Sequence, residues 1–175
     1  MRIETTTIPG VLVLSTDAHR DERGSFARIF CERDLAAAGV VFTVRQANIS
    51  RNRQRGTLRG LHFQAEPGPE PKIVRCLRGA VWDVAVDLRP DSPGFRRWTG
   101  HELSADNLRA LYIPPGCAHG FVTLVDDCEI LYLMGAFYDP ALQRGVRWND
   151  PAFAIDWPLA PAVIAERDAG YPDFA

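Results

Sequence analysis

The sequence predicts an all-β fold, a sandwich or a barrel, on two observations. Short β-rich runs alternate with Gly and Pro along the chain, whereas a βαβ fold would need long helical segments between them. Residues 80–88 alternate with the period of two that a strand requires, so that Trp82 and Val84 share one face and Asp83 and Ala85 the other. About eight strands are expected, which suits a jelly roll.

The remaining elements follow from local patterns. Three prolines exclude residues 66–71 from any sheet and predict a stiff connection between two strands. An alanine-rich helix is predicted at 32–38, ending at Gly39, and a second short helix at 105–108, capped by Ser104. The other predicted strands are residues 44–50, 57–64, 73–77, 111–113, 120–124 and 129–133.

Length and composition limit the classes of protein that remain. The chain has 175 residues, 46% of them hydrophobic, and residues 1–175 are expected to form a single domain with a full core. Its 20 Lys and Arg nearly balance 22 Asp and Glu, which argues against nucleic acid or a membrane as the partner.

The apolar run at 11–14 is too short for a signal peptide or a membrane span. The four cysteines are widely spaced without a C-x-x-C pair, so reduced thiols and a cytoplasmic location are expected.

Cations and imidazoles are concentrated in two segments. Residues 59–64 read RGLHFQ and are followed by Lys72, while residues 114–121 read PPGCAHGF. A single strand histidine or arginine is usually structural or lies at a solvated edge, but together these residues indicate a site.

One spacing conflicts with that interpretation. Arg59 and His62 are three residues apart, so a regular strand would direct them to opposite faces. A bulge at Gly60 would bring them to one site.

Six motifs occur in unbroken order between about residue 20 and residue 170. They are DERGSF (21–26), QANIS (46–50), RGLHFQ (59–64), DVAVDLR (83–89), IPPGCAHGF (113–121) and RWNDP (147–151). Such an ordered set is far more specific than any single motif, and it closely resembles the dTDP-4-dehydrorhamnose 3,5-epimerase family. The resemblance implies a cupin-type jelly-roll β-barrel with short flanking helices. It also implies a homodimer and a nucleotide-diphosphate-linked 4-keto-6-deoxyhexose as substrate.

The resemblance further implies roles for individual residues. His62 matches the general base, Asp168 its carboxylate partner and Tyr132 the general acid. Asp83 is given a supporting role only, and its structural alternative is a plain hydrogen bond to His119. The implied substrate contacts are Arg23, Gln46, Asn48, Arg59, Lys72, His119 and Tyr138, the last of these against the nucleobase.

The chemistry of these residue types agrees with the implied roles. A proton beside a ketone becomes removable when preorganised donors hold the enolate oxygen, so no metal or redox cofactor is expected. Histidine titrates near neutrality, and a carboxylate on its second nitrogen fixes the tautomer. Return of the proton to the opposite face calls for a neutral donor such as Tyr132. However, Tyr132 alternates with Ile130 and Met134 on one strand face, a pattern that also suits a core aromatic.

Three positions depart from the family pattern. Arg28 and Gln143 stand where Glu is common, and Arg167 stands where Lys is common beside Asp168. All three belong to the implied substrate-contact set, so they affect which nucleotide and which sugar the protein is expected to bind. A dTDP sugar is the first expectation, and CDP or GDP sugars are alternatives.

Other functions stay open at this point. Inversion could occur at C3, at C5 or at both, and a ketoisomerase of the same fold would instead move the carbonyl. A metal-dependent cupin is disfavoured because Gln64 occupies the second position of the usual His-x-His motif. A non-catalytic binder of sugar nucleotides is disfavoured because binding alone needs no acid and base pair.

Overall fold

Strands dominate residues 1–174, which are the residues described by a computed structural model of the chain. The helices are α1 (Glu32–Ala37) and α2 (Glu166–Ala169), and neither has the length or apolar character to cross a bilayer. The strands are β1 (Arg2–Thr5), β2 (Leu12–Ser15), β3 (His19–Asp21), β4 (Gly24–Phe26), β5 (Gln46–Asn52), β6 (Thr57–Gln64), β7 (Lys72–Arg78), β8 (Ala80–Asp87), β9 (Trp98–Ser104), β10 (Ala110–Ile113), β11 (Cys117–Thr123), β12 (Cys128–Met134), β13 (Gln143–Gly145) and β14 (Val163–Ile164).

Two six-stranded sheets and one hairpin account for all of these strands. The first sheet has the order β1-β2-β10-β7-β12-β5. The second has the order β13-β6-β11-β8-β9, with β14 pairing in parallel beside β6. Strands β3 and β4 form a separate hairpin. The predicted all-β jelly roll with short helices is confirmed.

The core lies between the two large sheets, as the alternation on β8 predicts. Val81 and Ala85 join a cluster that includes Val74 and Ile130 of the other sheet. The opposite face of β8 is also buried, since Val84 packs in a second cluster beneath the C-terminal segment. Both faces of this strand therefore exclude water, which explains its apolar composition.

Some predicted elements were wrong or incomplete. Residues 105–107 form a turn rather than a helix, because the Asn107 side chain accepts hydrogen bonds from the N–H groups of Ser104 and Arg109.

Strand β9 was not predicted, since Gly100 and several polar residues obscure its pattern. Gly100 is required there because a Cβ would lie 2.6 Å from the Trp82 indole nitrogen. The connection at 66–71 lies outside the sheets, as predicted.

The bulge at Gly60, which the sequence left open, is present and shapes the site. His62 pairs with His119 and Arg59 with Phe121, so a step of three residues on β6 matches a step of two on β11. Gly60 has φ +117°, and a Cβ would lie 2.6 Å from both Gly120 Cα and the His119 carbonyl oxygen. Only glycine fits here. The bulge brings Arg59 and His62 to the same cavity.

Candidate active site

A cavity of about 310 Å³ collects most of the predicted site residues. Its walls come from both large sheets, from the segment after β12 and from α2. Nine of the predicted residues line it: Arg59, His62, Lys72, His119, Tyr132, Tyr138, Gln143, Arg167 and Asp168.

A histidine and a carboxylate form a hydrogen-bonded pair in this cavity. Nε2 of His62 lies 2.8 Å from Oδ1 of Asp168, and the other carboxylate oxygen accepts the Gly60 N–H at 3.0 Å. Because an ionised carboxylate only accepts hydrogen bonds, Nε2 carries the proton and Nδ1 keeps a free lone pair. The pair thus presents one basic nitrogen.

The charge state of Asp168 follows from its surroundings. Burial works to raise its pKa, but hydrogen bonds from His62 and from the Gly60 N–H, together with the charge of Arg167, outweigh burial and hold the pKa below its ordinary value. Asp168 is therefore a carboxylate at neutral pH, as an orienting partner of histidine must be.

Tyr132 belongs to both the core and the cavity. Its ring packs against the main core cluster and lies 5.9 Å from the His119 ring, edge to face. Burial raises the pKa of Tyr132 far above its ordinary value, so its hydroxyl keeps its proton. Both interpretations of this residue, core aromatic and cavity-lining proton donor, are compatible with its position.

His119 is hydrogen-bonded to a buried carboxylate on the side away from the cavity lining. Its Nε2 lies 2.9 Å from both oxygens of Asp83, whose side chain is fully buried on β8. The predicted contact between Asp83 and His119 is confirmed. Asp83 itself does not line the cavity, so its influence on the site passes through the imidazole.

The two cavity-lining cations on β6 and β7, Arg59 and Lys72, differ in their partners. The Lys72 ammonium lies 2.9 Å from a carboxylate oxygen of Glu70, and both side chains are about 5% exposed. Arg59 donates through Nε to the neutral Asn52 side chain at 2.7 Å, and within residues 1–174 it makes no ion pair. Of these two charges, that of Arg59 is therefore the one without a carboxylate partner among the described residues.

Three side chains connect the mouth of the cavity to the histidine–aspartate pair. Tyr138, which is half exposed, donates its hydroxyl to Oε1 of Gln143 at 2.6 Å. Arg167 donates to the same oxygen at 3.3 Å and to Oδ1 of Asp168 at 3.4 Å. Two of the three positions that depart from the family pattern, Gln143 and Arg167, are thus in direct contact.

Four predicted contact residues lie outside the cavity of a single chain. Arg23 is on the β3–β4 hairpin, 85% exposed, and pairs with Asp21. Arg28 follows that hairpin in a separate groove. Gln46 accepts the Tyr138 N–H at 2.7 Å and so supports the segment after β12. Asn48 pairs with Tyr132 across β5 and β12 but is exposed.

The sequence assigned no role to two residues that line the cavity, Glu70 and Gln64. Glu70 lines the cavity beside Lys72, and the only available signal was an acidic residue between two prolines. Gln64 donates to the carbonyls of Gly68 and Phe137 and accepts the Asp139 N–H, so it joins the strand to two loops. Across residues 1–174, no three His, Cys, Asp or Glu side chains gather to hold a metal ion.

Comparisons with known proteins agree on one family. A family model described as dTDP-4-dehydrorhamnose 3,5-epimerase matches residues 5–175. The dTDP-4-dehydrorhamnose 3,5-epimerase of Pseudomonas aeruginosa is 42% identical over 177 residues, covering 100% of this chain and 97% of the relative.

Two solved structures are close in fold. The enzyme of the same description from Bacillus anthracis, with TDP and PPi bound, has a TM-score of 0.95 at 38% identity and 99% coverage of both chains. A 3′-monoepimerase from Streptomyces bikiniensis, in complex with dTDP-quinovose, has a TM-score of 0.88 at 34% identity, covering 96% of this chain and 85% of its own.

Proposed function

This chain belongs to the dTDP-4-dehydrorhamnose 3,5-epimerase family, and from that premise we propose that it inverts carbon centres beside the ketone of a nucleotide-diphosphate-linked 4-keto-6-deoxyhexose. The chain is an isomerase, a carbohydrate epimerase. The reaction proposed is that of dTDP-4-dehydro-6-deoxyglucose to dTDP-4-dehydrorhamnose. The observation that carries the proposal is the His62–Asp168 pair in the same cavity as Tyr132.

The proton transfers are assigned to these three residues. Nδ1 of His62 takes the proton from the carbon next to the ketone, and Asp168 stabilises the imidazolium that forms. Tyr132 returns a proton to the opposite face of the enolate. Burial raises the pKa of Tyr132, so the hydroxyl holds its proton at neutral pH, as a donor must before the transfer.

The cations are assigned to different parts of the substrate. Arg59 lacks a carboxylate partner among the described residues, so its guanidinium is suited to the diphosphate. Lys72 is already paired with Glu70 and lies in the cavity with His62 and Tyr132, so it is suited to the ketone oxygen, where negative charge develops. His119, whose Nε2 is engaged by Asp83, contributes Nδ1 as an acceptor for a sugar hydroxyl.

The mouth of the cavity is assigned to the nucleotide. Tyr138 offers a half-exposed ring for stacking on the base, and its hydroxyl is held by Gln143. Arg167 links Tyr138 and Gln143 to Asp168. Nucleotide binding and the orientation of the general base, His62, therefore depend on one chain of hydrogen bonds.

We further propose a homodimer, working in the cytoplasm, in which Arg23 and Arg28 act on the cavity of the second copy. Large apolar side chains are exposed on the hairpin, in the segment between α1 and β5, and on the edge strand β5: Phe26 (77%), Val41 (92%) and Ile49 (56%). Such a surface supports burial against another copy. Gln46 and Asn48 lie on the same edge strand.

Mixing two inactive variants tests the dimer. His62→Ala and Arg23→Ala chains, each inactive alone, should regain about one quarter of wild-type activity after unfolding and refolding together, because half the dimers are mixed and each has one intact site. Light scattering should report a dimer. A monomer, or no recovery on mixing, would confine the site to one chain.

One experiment tests the reaction itself. The purified protein is incubated in heavy water with dTDP-4-keto-6-deoxyglucose, and deuterium is located by NMR. Exchange at C3 and C5 is expected. Exchange at C3 alone would favour the activity named for the Streptomyces bikiniensis relative, carbonyl movement would favour a ketoisomerase, and no exchange would favour a binder.

A further inference from the structure

Lys72 is the only lysine in the chain, since all the other residues among the 20 Lys and Arg are arginines. It is also among the most buried of the basic residues, and its side chain is 6% exposed on the cavity wall. Arginine supplies positive charge elsewhere in this protein. The single position that retains an ammonium is therefore one where a compact charge with rotatable donors is needed.

Glu70 is the partner of this ammonium and of nothing else in the described chain. One carboxylate oxygen lies 2.9 Å from Lys72 Nζ, and the second, Oε2, is buried without a hydrogen-bond partner within residues 1–174. A buried carboxylate whose role was to hold two loops together would accept hydrogen bonds at both of its oxygens. Buried ion pairs also add little to stability compared with apolar residues of similar size. The Glu70–Lys72 pair is therefore better explained by a role in the cavity than by a contribution to the stability of the fold.

The backbone around Glu70 is restricted on both sides. Pro69 and Pro71 flank it, and a residue before proline is confined to extended conformations. Lys72 begins β7, where it is paired with Ile113 on one side and Met134 on the other. The geometry between carboxylate and ammonium is thus set before any substrate arrives.

The cavity would otherwise oppose a charged lysine. Several basic groups share it, and the nearest compensating carboxylate is Glu70, because Asp168 is engaged by His62 and Arg167. The titratable and charged side chains that line the cavity with Lys72 are Arg59 and His62 on β6, Glu70 before β7, His119 on β11, Tyr132 on β12, Tyr138 after it, and Arg167 and Asp168 on α2.

We propose that Glu70 is a positioning residue that keeps Lys72 protonated and directed at the oxygen on which the enolate charge develops. This inference rests on the proposed epimerase function for the identity of that oxygen. The ion pair itself is independent of any substrate, so the two claims can fail separately.

The single lysine makes the test direct. Protein grown with ¹³C-lysine gives one lysine spin system, and its chemical shift is followed against pH in the wild type and in Glu70→Gln. Removing an opposite charge at this distance typically moves a titration by about 1–3 pH units. The lysine midpoint in Glu70→Gln should therefore be at least about one unit lower than in the wild type.

Activity provides the second measurement. The alkaline limb of the kcat profile should move down with the lysine midpoint in Glu70→Gln, while KM changes less than about threefold. Glu70→Asp should restore part of the shift, and Glu66→Gln, an exposed carboxylate in the same connection, should leave both profiles unchanged.

Two results would overturn the proposal. One is a lysine midpoint that is the same in Glu70→Gln and the wild type. The other is a shifted midpoint with an unchanged kcat profile in an enzyme that turns over, since Glu70 would then govern Lys72 without serving catalysis. If Glu70→Gln does not fold, Glu70→Asp is used instead: its shorter side chain places the carboxylate farther from the ammonium, so a smaller lowering of the lysine midpoint is expected, and an unchanged midpoint would overturn the proposal. A wild type without exchange in heavy water would refute the epimerase function and leave the lysine titration to stand on its own.

Discussion

The side chains of His62 and Asp168 meet at 2.8 Å although 106 positions separate them in the chain. The same carboxylate accepts the N–H of Gly60, the residue at the bulge that turns His62 toward the cavity. The buried Asp168 carboxylate therefore orients the His62 ring and also holds the bulge at Gly60 that positions His62. Changes at Asp168 should affect both the ring orientation and the bulge.

His62→Ala should abolish exchange of the substrate C–H, because the cavity then lacks its general base. The expected loss is about 10²- to 10⁴-fold. Asp168→Asn should cost less, since the imidazole remains but is poorly oriented. Deuterium incorporation by NMR measures both. His101→Gln, a change on β9 outside the cavity lining, is the control. Near wild-type exchange in His62→Ala would place the base elsewhere.

Tyr132→Phe should separate abstraction from inversion. The ring and its packing remain, and so do the base and the donors to the enolate, but the far face loses its proton donor. Substrate of unchanged configuration should gain deuterium while inverted product forms slowly. Tyr112→Phe, in a different core cluster, is the matched control. If both rates fall together, Tyr132 also serves abstraction or binding; if neither falls, it is only a core aromatic.

The stability contributed by Asp168 should depend on pH in a defined direction. Its pKa in the folded protein lies below the ordinary value, so the charged form stabilises the fold. That contribution is complete above the ordinary value of about 3.9 and is lost as pH falls through the lowered value. Urea unfolding of the wild type and Asp168→Asn should therefore differ most at pH 6 and converge toward pH 3. A constant difference would mean that the charge of Asp168 is irrelevant to folding.

Gln143→Glu and Arg28→Glu should change the nucleotide preference. Oε1 of Gln143 accepts from both Tyr138 and Arg167, and a carboxylate there would hold Arg167 more tightly. Calorimetric competition among dTDP, CDP, GDP and UDP would measure the change. The same strong preference for dTDP in the wild type and both variants would make these departures incidental.

Turnover should survive extensive chelation. The position that completes the usual cupin His-x-His motif holds Gln64, and its amide is engaged by Gly68, Phe137 and Asp139. The assay is turnover after dialysis against a chelator, followed by addition of divalent ions. Loss on chelation with recovery on a divalent ion would require a metal.

The sequence by itself determined the fold class and most members of the site. Period-two alternation and proline placement are local properties, so they identified β8, the connection at 66–71 and residues 57–64, which match β6 at both ends. The ordered motifs indicated the family, and the resemblance implied nine residues that line one cavity. The roles of those residues in turnover stay predictions.

Tertiary structure decided how those residues meet, because contacts across many residues depend on register and packing that no local pattern encodes. The bulge at Gly60 follows from the close approach of β11, and Asp168 reaches His62 only through the docking of α2, a helix too short to leave a periodic signal. Glu70 went unnoticed since an acidic residue between prolines normally indicates an exposed loop. Burial against Lys72 makes it part of the site, and burial is a property of the folded chain alone.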